Sequence, residues 1–200
     1  MAIATARQVI TPAHRMRPGP GFAAEHGAAS PATAVPDVAS PHADRPGTST
    51  LSPARLGQLV SEIVAAEQGW RPIVRFTAER RWYRRLVLAE DHEIWLLSWL
   101  PGQHTGFHDH GEACGAFAVA QGELRETLAW PGKTRVRHRP ASAGSVTRFG
   151  SRHLHDVSNQ TVSPAVSVHA YSPPLTAMRR YEMTATGLAL VHTDRAELDW

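Results

Sequence analysis

Seven of the chain's 12 histidines, His104, His108, His110, His138, His153, His155 and His169, fall within 66 consecutive residues. Neutral imidazole is the commonest metal ligand, so a metal centre is the first chemistry this composition suggests. The sharpest signal is His108-Asp109-His110. On a strand, residues two apart face the same way, so both imidazoles enter one cavity while Asp109 turns elsewhere. Downstream, His153 and His155 repeat that spacing and compete to supply a further ligand. A second polar row follows in 165–171, where alternation puts Ser167, His169 and Tyr171 on one face and Val166, Val168 and Ala170 on the other. Such a strand lines a wet cavity or, more blandly, turns its polar side to solvent. Five arginines lie between Arg75 and Arg85, and most of them must be solvated. One held in a pocket would grip a carboxylate with two parallel hydrogen bonds and keep its charge there.

The elements that must carry these side chains are legible in outline. Two hundred residues suffice for one domain of about 150 residues with a real core, plus an appendage. Residues 1–50 are rich in Ala, Pro and Gly, lack hydrophobic periodicity, and read as a disordered tail. Their prolines argue against the alternative, a mitochondrial-type presequence. The domain is expected over 51–200. Thr50 or Ser52 can cap a helix with Pro53 in its first turn. Leu56, Leu59, Val60, Ile63 and Val64 then recur at helical spacing and stop before Gly69, giving one amphipathic helix of about 16 residues with a core-facing stripe. Beyond Arg80 the pattern becomes short apolar or alternating runs between Gly and Pro turns, with strands expected over 86–89, 94–100, 116–120, 124–129, 145–149 and 165–171. A helical start followed by closely spaced strands argues for a mainly β antiparallel sandwich or small barrel with a ligand site in its mouth.

Composition narrows the partners. No run of about 18 apolar residues offers a membrane span. The balance of 21 basic and 18 acidic residues includes a single lysine, Lys133, so the high isoelectric point reflects arginine usage and argues against a nucleic-acid partner. The lone Cys114 cannot form an internal disulfide, and the first 30 residues lack an apolar signal core. A cytoplasmic protein is expected, and a monomer.

The spacing of Gly102, His108, His110 and Gly122 resembles the first motif of the cupin superfamily, whose glycines turn the strand on either side of the metal pair. The glutamate ligand usual in cupins is missing, its positions being Cys114 and Gly115, and Glu112 lies too close to replace it. Gly144, His155 and Asn159 resemble the second motif, with Gly150 and Arg152 in place of its usual proline and second glycine; spacing to Asn159 favours His155 over His153. The resemblance implies a cupin fold, a double-stranded β-helix or small jelly-roll barrel, with N-terminal helices. It also implies a metal held by His108, His110 and His155. Three neutral ligands suit Zn(II) or non-haem Fe(II) equally and leave the ion's charge uncompensated, which favours an anionic ligand such as a thiolate.

Leu154-His155 and the string from Ser167 to Pro174, taken with the HDH triplet, make the chain similar to the cysteine dioxygenase type I family from about Arg80 to Tyr181. That resemblance implies Fe(II) on the three histidines, Ser167, His169 and Tyr171 as a hydrogen-bonded catalytic triad beside it, and L-cysteine and O2 as the small-molecule partners. The family's carboxylate-binding arginine lies in an aromatic-x-Arg-x-Leu context, which selects Arg84 in Trp82-Tyr83-Arg84-Arg85-Leu86, with Tyr171 as its companion on the substrate. Animal members carry a cysteine, thioether-linked to the triad tyrosine, where this chain has Gly115. Cys114 is one residue off and faces the other way, so Tyr171 is expected uncrosslinked, as in bacterial relatives, and Cys114 inert. The expected activity is oxidation of cysteine to cysteine sulfinic acid. Its rivals are a dioxygenase for another small thiol such as 3-mercaptopropionate, a non-catalytic metal-binding cupin, and a zinc enzyme. The Ser172-Pro173 bond is expected to be a cis turn that fixes the tyrosine.

Overall fold

Ser52 accepts a hydrogen bond from the Arg55 amide at 3.2 Å, Pro53 presets the first turn, and helix α1 runs Pro53–Ala65. It is shorter than its apolar stripe predicts. Ala66 leaves helical geometry, and a second short helix, α2 (Glu67–Trp70), brings Trp70 into the core, where its indole N–H donates to the freed Val64 carbonyl at 3.1 Å. The structure, a computed structural model, describes residues 50–196; the tail expected over 1–50 lies, but for Thr50, outside them.

After a 3-10 turn at Arg71–Ile73, the strands of the described chain form two antiparallel sheets. One sheet contains β1 (Tyr83–Leu88), β2 (Glu93–Trp99), β4 (Cys114–Gln121), β7 (Val146–Phe149) and β9 (Ala165–Ser172), in the order β1-β2-β9-β4-β7. The other contains β3 (Phe107–His108), β5 (Glu123–Leu128), β6 (Arg137–Ser142), β8 (His155–Ser158), β10 (Ala177–Thr184) and β11 (Gly187–Arg195), in the order β11-β10-β3-β8-β5-β6. This is the jelly-roll architecture expected. Five of these strands escape periodicity. β3 and β8 are too short to show a period, β6 is a polar edge strand with an exposed Pro140, and β10 and β11 are held partly by ion pairs such as Arg180–Asp194.

Strand parity divides the first sheet into two faces. Leu97, Trp99, Phe117, Val119, Ala165 and Tyr171 face the interior, where they meet Leu124, Ala141 and Val157 of the second sheet. Ile94, Leu96, Ala116, Ala118, Val166, Val168 and Ala170 face outward and are sealed by Leu56, Val60 and Trp70 of the helices. Burying such side chains stabilises the domain by about 1.5–3 kcal/mol each before the entropy of ordering is subtracted. The helix therefore leaves the interior face free for the site. Gly122, at φ +75° between β4 and β5, makes a turn in which a Cβ would stand 2.7 Å from the Pro164 carbonyl oxygen.

Candidate metal centre and substrate cavity

β3 and β8 lie side by side with His108 opposite His155, and His110 follows two residues beyond the end of β3. The ligand atoms of these three histidines lie within 4.8 Å of one another, and all three side chains are buried. Their free nitrogens follow from the surrounding hydrogen bonds. His108 donates from Nδ1 to the Gly106 carbonyl at 2.9 Å, and His155 donates from Nδ1 to Glu126 Oε1 at 2.9 Å, which leaves Nε2 of each as the lone-pair nitrogen. Neither ring nitrogen of His110 has a partner, an orphaned polar group deep in a protein interior. Burial first, then the neighbouring imidazoles, holds His110 well below the ordinary histidine range; burial leads at His108 and His155 too. Three neutral imidazoles, one of them unsatisfied on both sides, fit a divalent metal ion. Asp109 turns away, as strand parity predicts, and binds Arg179 and the Tyr181 hydroxyl.

The walls around the ligands include residues that periodicity could not single out. His110 packs against the rings of both Phe149 (4.9 Å) and Tyr171 (5.0 Å). His153 is not in the three-histidine group. It precedes β8, stacks on Phe149 at 4.6 Å and contacts Glu126 Oε1 through Nε2 at 2.8 Å. Glu126 thus serves two imidazoles. Burial alone would raise its carboxyl, but the hydrogen bonds from His153 and His155 prevail and draw it down to about 2, so it is an anion facing the back of His155. Glu126 and His155 also form a possible ligand group with His153; there Glu126 Oε1 is engaged by both imidazoles, while Glu126 Oε2 is buried without a partner. Glu112, by contrast, is exposed.

β9 is buried along its whole length, so the polar row faces the interior rather than solvent. Trp99 Nε1 donates to Ser167 Oγ at 2.9 Å, and Ser167 Oγ lies 2.8 Å from His169 Nε2. Ser167 Oγ accepts from the indole, and the described residues offer its own hydrogen no acceptor other than His169 Nε2, which assigns the remaining imidazole hydrogen to Nδ1, 3.4 Å from the Tyr171 oxygen. The tyrosine's own hydrogen is then left for the cavity. Burial pushes the Tyr171 phenol up, so that hydrogen stays in place at neutral pH. The Ser172-Pro173 peptide is cis.

The cavity beside the histidines encloses about 160 Å³ and is lined by His108, His155, His169, Tyr171, Arg81 and Trp95, among others. Arg81 lines it and Arg84 does not, which corrects the expectation drawn from the local motif. Arg84 pairs across β1 and β2 with Leu96, a side chain of the helix-covered face, and is exposed. Tyr83 pairs with inward-facing Leu97, and Arg81, two residues earlier, shares the cavity with it. One residue of strand parity separates the two outcomes. The Arg81 guanidinium stacks over Trp99 at 4.5 Å; its Nε and Nη1 are buried without partners, and burial draws its pKa down to about 10, so it remains a cation at neutral pH. A second arginine, Arg180, also lines the cavity but is neutralised by Asp194.

Cys114 pairs with Ser172 rather than Tyr171, its thiol donates to the Leu51 carbonyl at 3.2 Å, and burial pushes its pKa up. Gly115 is the residue opposite Tyr171. A Cβ there would stand 2.5 Å from Phe149 Cζ and 2.9 Å from the Ala170 carbonyl oxygen, so the Phe149 ring fills the space next to the tyrosine.

Comparison with known proteins agrees with these features. The family described as Cysteine dioxygenase type I matches residues 55–184. Cysteine dioxygenase type 1 of Danio rerio is 30% identical over 127 residues, which cover 58% of this chain and 62% of that protein. The Homo sapiens protein of the same name is 30% identical over 125 residues, 56% of this chain and 61% of the relative. This chain therefore spans about three-fifths of the length of the curated relatives it matches. Among solved structures, a cupin superfamily protein from Desulfitobacterium hafniense DCB-2 aligns with a TM-score of 0.44 at 11% identity, over 52% of this chain and 86% of that one.

Proposed function

Because the chain belongs to the cysteine dioxygenase type I family, we propose that it is a non-haem Fe(II) thiol dioxygenase that oxidises L-cysteine with O2 to cysteine sulfinic acid, in the cytoplasm. The observation that carries this reading is three converging imidazoles, His108, His110 and His155, beside a cavity that His108 and His155 line together with the Arg81 guanidinium and Tyr171. His108, His110 and His155 would hold the ion through the nitrogens that the surrounding hydrogen bonds leave free. A ferrous ion with three protein ligands supplies open positions at which a thiolate and O2 can meet, while its uncompensated charge favours the anionic form of the thiol.

The remaining work falls to the chain's own side chains. Arg81, which lines the cavity with no ion-pair partner among the described residues, binds the substrate carboxylate through its guanidinium, a charge-assisted grip that orients the sulfur. Fixing the substrate in this way replaces a chance encounter with a defined approach, which can contribute several kcal/mol to the rate, at most about 7–11 in the best intramolecular cases. Tyr171 donates its hydrogen bond toward the reacting atoms, and Trp99, Ser167 and His169 hold the phenol so oriented. Glu126 fixes the His155 ring through Nδ1, which would leave Nε2 free to hold the ion.

The test is production of sulfinate from L-cysteine by the Fe(II)-loaded protein, with 3-mercaptopropionate and the zinc-loaded protein run in parallel. The proposal expects thiol-dependent O2 consumption with iron and not with zinc, lost in His155→Ala and retained in His153→Ala. Absence of thiol-dependent O2 consumption would favour a non-catalytic cupin and overturn it, and a clear preference for 3-mercaptopropionate would reassign the substrate.

A further inference from the structure

Charge is unevenly spread along the chain. Between Glu126 and Asp156 the sequence carries Lys133, Arg135, Arg137, Arg139, Arg148 and Arg152 and no carboxylate side chain, and none of these cations forms an ion pair among the described residues. In a protein whose basic and acidic residues nearly balance, this segment is a local positive field.

Part of that field is concave. A cavity of about 470 Å³ opens between the end of β5 and the turn from β7 to β8, and it has no lining residue in common with the substrate cavity. Leu128, Ala129, Phe149 and Leu154 give it apolar walls, and no acidic side chain lines it. Arg139 reaches it from β6, where it pairs with Glu126, whose carboxylate is engaged instead by His153 and His155. Arg152 reaches it from a tight turn closed by the His153 amide on the Gly150 carbonyl at 3.2 Å. Both arginines are exposed and have no hydrogen-bond partner among the described residues. Arg148 also borders the cavity, but its Nε lies where a Cβ on Gly57 of α1 would stand, so its side chain packs on the helix. Trp130 completes the lining and leaves 47% of its surface exposed, in a residue type that folding ordinarily buries.

Two unpaired guanidiniums with no carboxylate beside them call for an anion rich in acceptor oxygens, and their planar forks match phosphate. An exposed indole next to apolar walls calls for a flat ring, and stacking of a nucleobase on an aromatic side chain tolerates any base. The volume is that of a small-molecule site rather than of a track for a polymer. We propose that this cavity is a nucleotide-binding site, with Arg139 and Arg152 on the phosphates and Trp130 against the base. The site stands apart from the thiol-dioxygenase reading, since the two cavities are lined by different residues.

The experiment is titration calorimetry of the full chain with ATP, tripolyphosphate and adenosine, run before iron is added so that phosphate has no metal to sequester. ATP should bind saturably at one site and more tightly than either fragment. Replacing Arg139→Gln and Arg152→Gln together removes charge-assisted hydrogen bonds and should weaken ATP by about tenfold or more. Trp130→Ala should weaken ATP by about tenfold and leave tripolyphosphate within about twofold. Lys133→Gln with Arg135→Gln deletes the same charge outside the cavity and should leave ATP within about twofold. All five side chains are exposed, so these variants keep the core intact. No saturable ATP binding would overturn the site. An equal loss in the Lys133 and Arg135 variant would overturn it as well, by showing diffuse attraction of any polyanion, and ATP binding indifferent to Trp130→Ala would overturn the nucleotide assignment in favour of a bare phosphate site.

Discussion

At the scale of single residues, the site works by deciding where hydrogens are. Trp99 donates to Ser167, whose hydroxyl has His169 Nε2 as its one acceptor among the described residues, and these two contacts assign the hydrogen-bond directions through His169 to a tyrosine whose hydrogen is free. Removing that hydrogen in Tyr171→Phe should lower turnover by about 10²-fold, the cost of one donor aimed at developing charge, while cysteine affinity changes far less. Steady-state oxygen uptake set against anaerobic binding checks the split; equal losses in both would place the hydroxyl in ground-state binding only. Glu126 acts on the other side of the metal centre. Replacing it with Gln removes the anion behind His155 and should weaken metal binding by about 10–100-fold, read by competition with a chelator of known affinity. A variant with unaltered metal affinity would show that ring packing alone orients His155.

At the scale of elements, the register of three strands governs the space around the tyrosine. β4 puts Gly115 opposite both Phe149 of β7 and Tyr171 of β9, and the Phe149 ring takes the volume a side chain at 115 would need. Gly115→Ala should cost about 1–3 kcal/mol through overpacking. Phe149→Leu in the same chain should recover part of it, because the backbone oxygen of Ala170 remains in the way; strictly additive effects in denaturant unfolding would argue against the contact. The same register sends Cys114 to the helix-covered face, near Leu51. Peptide mass spectrometry of protein that has turned over should therefore find Tyr171 and Cys114 unlinked, and a thioether-linked peptide would require the register to be different.

At the scale of the whole molecule, the metal histidines and the polar row come from opposite sheets: His108 and His155 from β3 and β8, His169 and Tyr171 from β9. An ion on the three histidines also ties the loop after β3 to β8. Binding to the folded state alone stabilises it by mass action, about 2.7 kcal/mol at a hundredfold excess over the dissociation constant. For a domain of this size that raises the thermal midpoint by roughly 5–10 °C. Calorimetry under anaerobic conditions with Fe(II), reversed by a chelator, checks it; a midpoint indifferent to metal would mean the histidines do not bind it in the folded state. Among the described residues, no helix is long and apolar enough to cross a membrane, and the helices that exist are spent on sealing the outer face of the first sheet.

Local order was readable along the chain wherever a period of two or of 3.6 survives in the residue types. The Ser52 cap, the stripe of α1, the alternation of β9 and the divergence of Asp109 from its flanking histidines all follow from geometry within a few residues. The mainly β class follows from the number and spacing of such runs. Contacts between residues distant in sequence had no such signature. Arg81 rather than Arg84 enters the cavity because pairing with β2 fixes the parity of β1, and five nearby arginines look alike until that pairing exists. Glu126 reaches His155 across β5 and β8, Trp99 reaches Ser167 across β2 and β9, and Phe149 finds Gly115 across β7 and β4. The chain by itself determined which residues can share a face; only the closing of two sheets around one interior decided which faces meet, because that depends on strand register and packing summed over the whole domain.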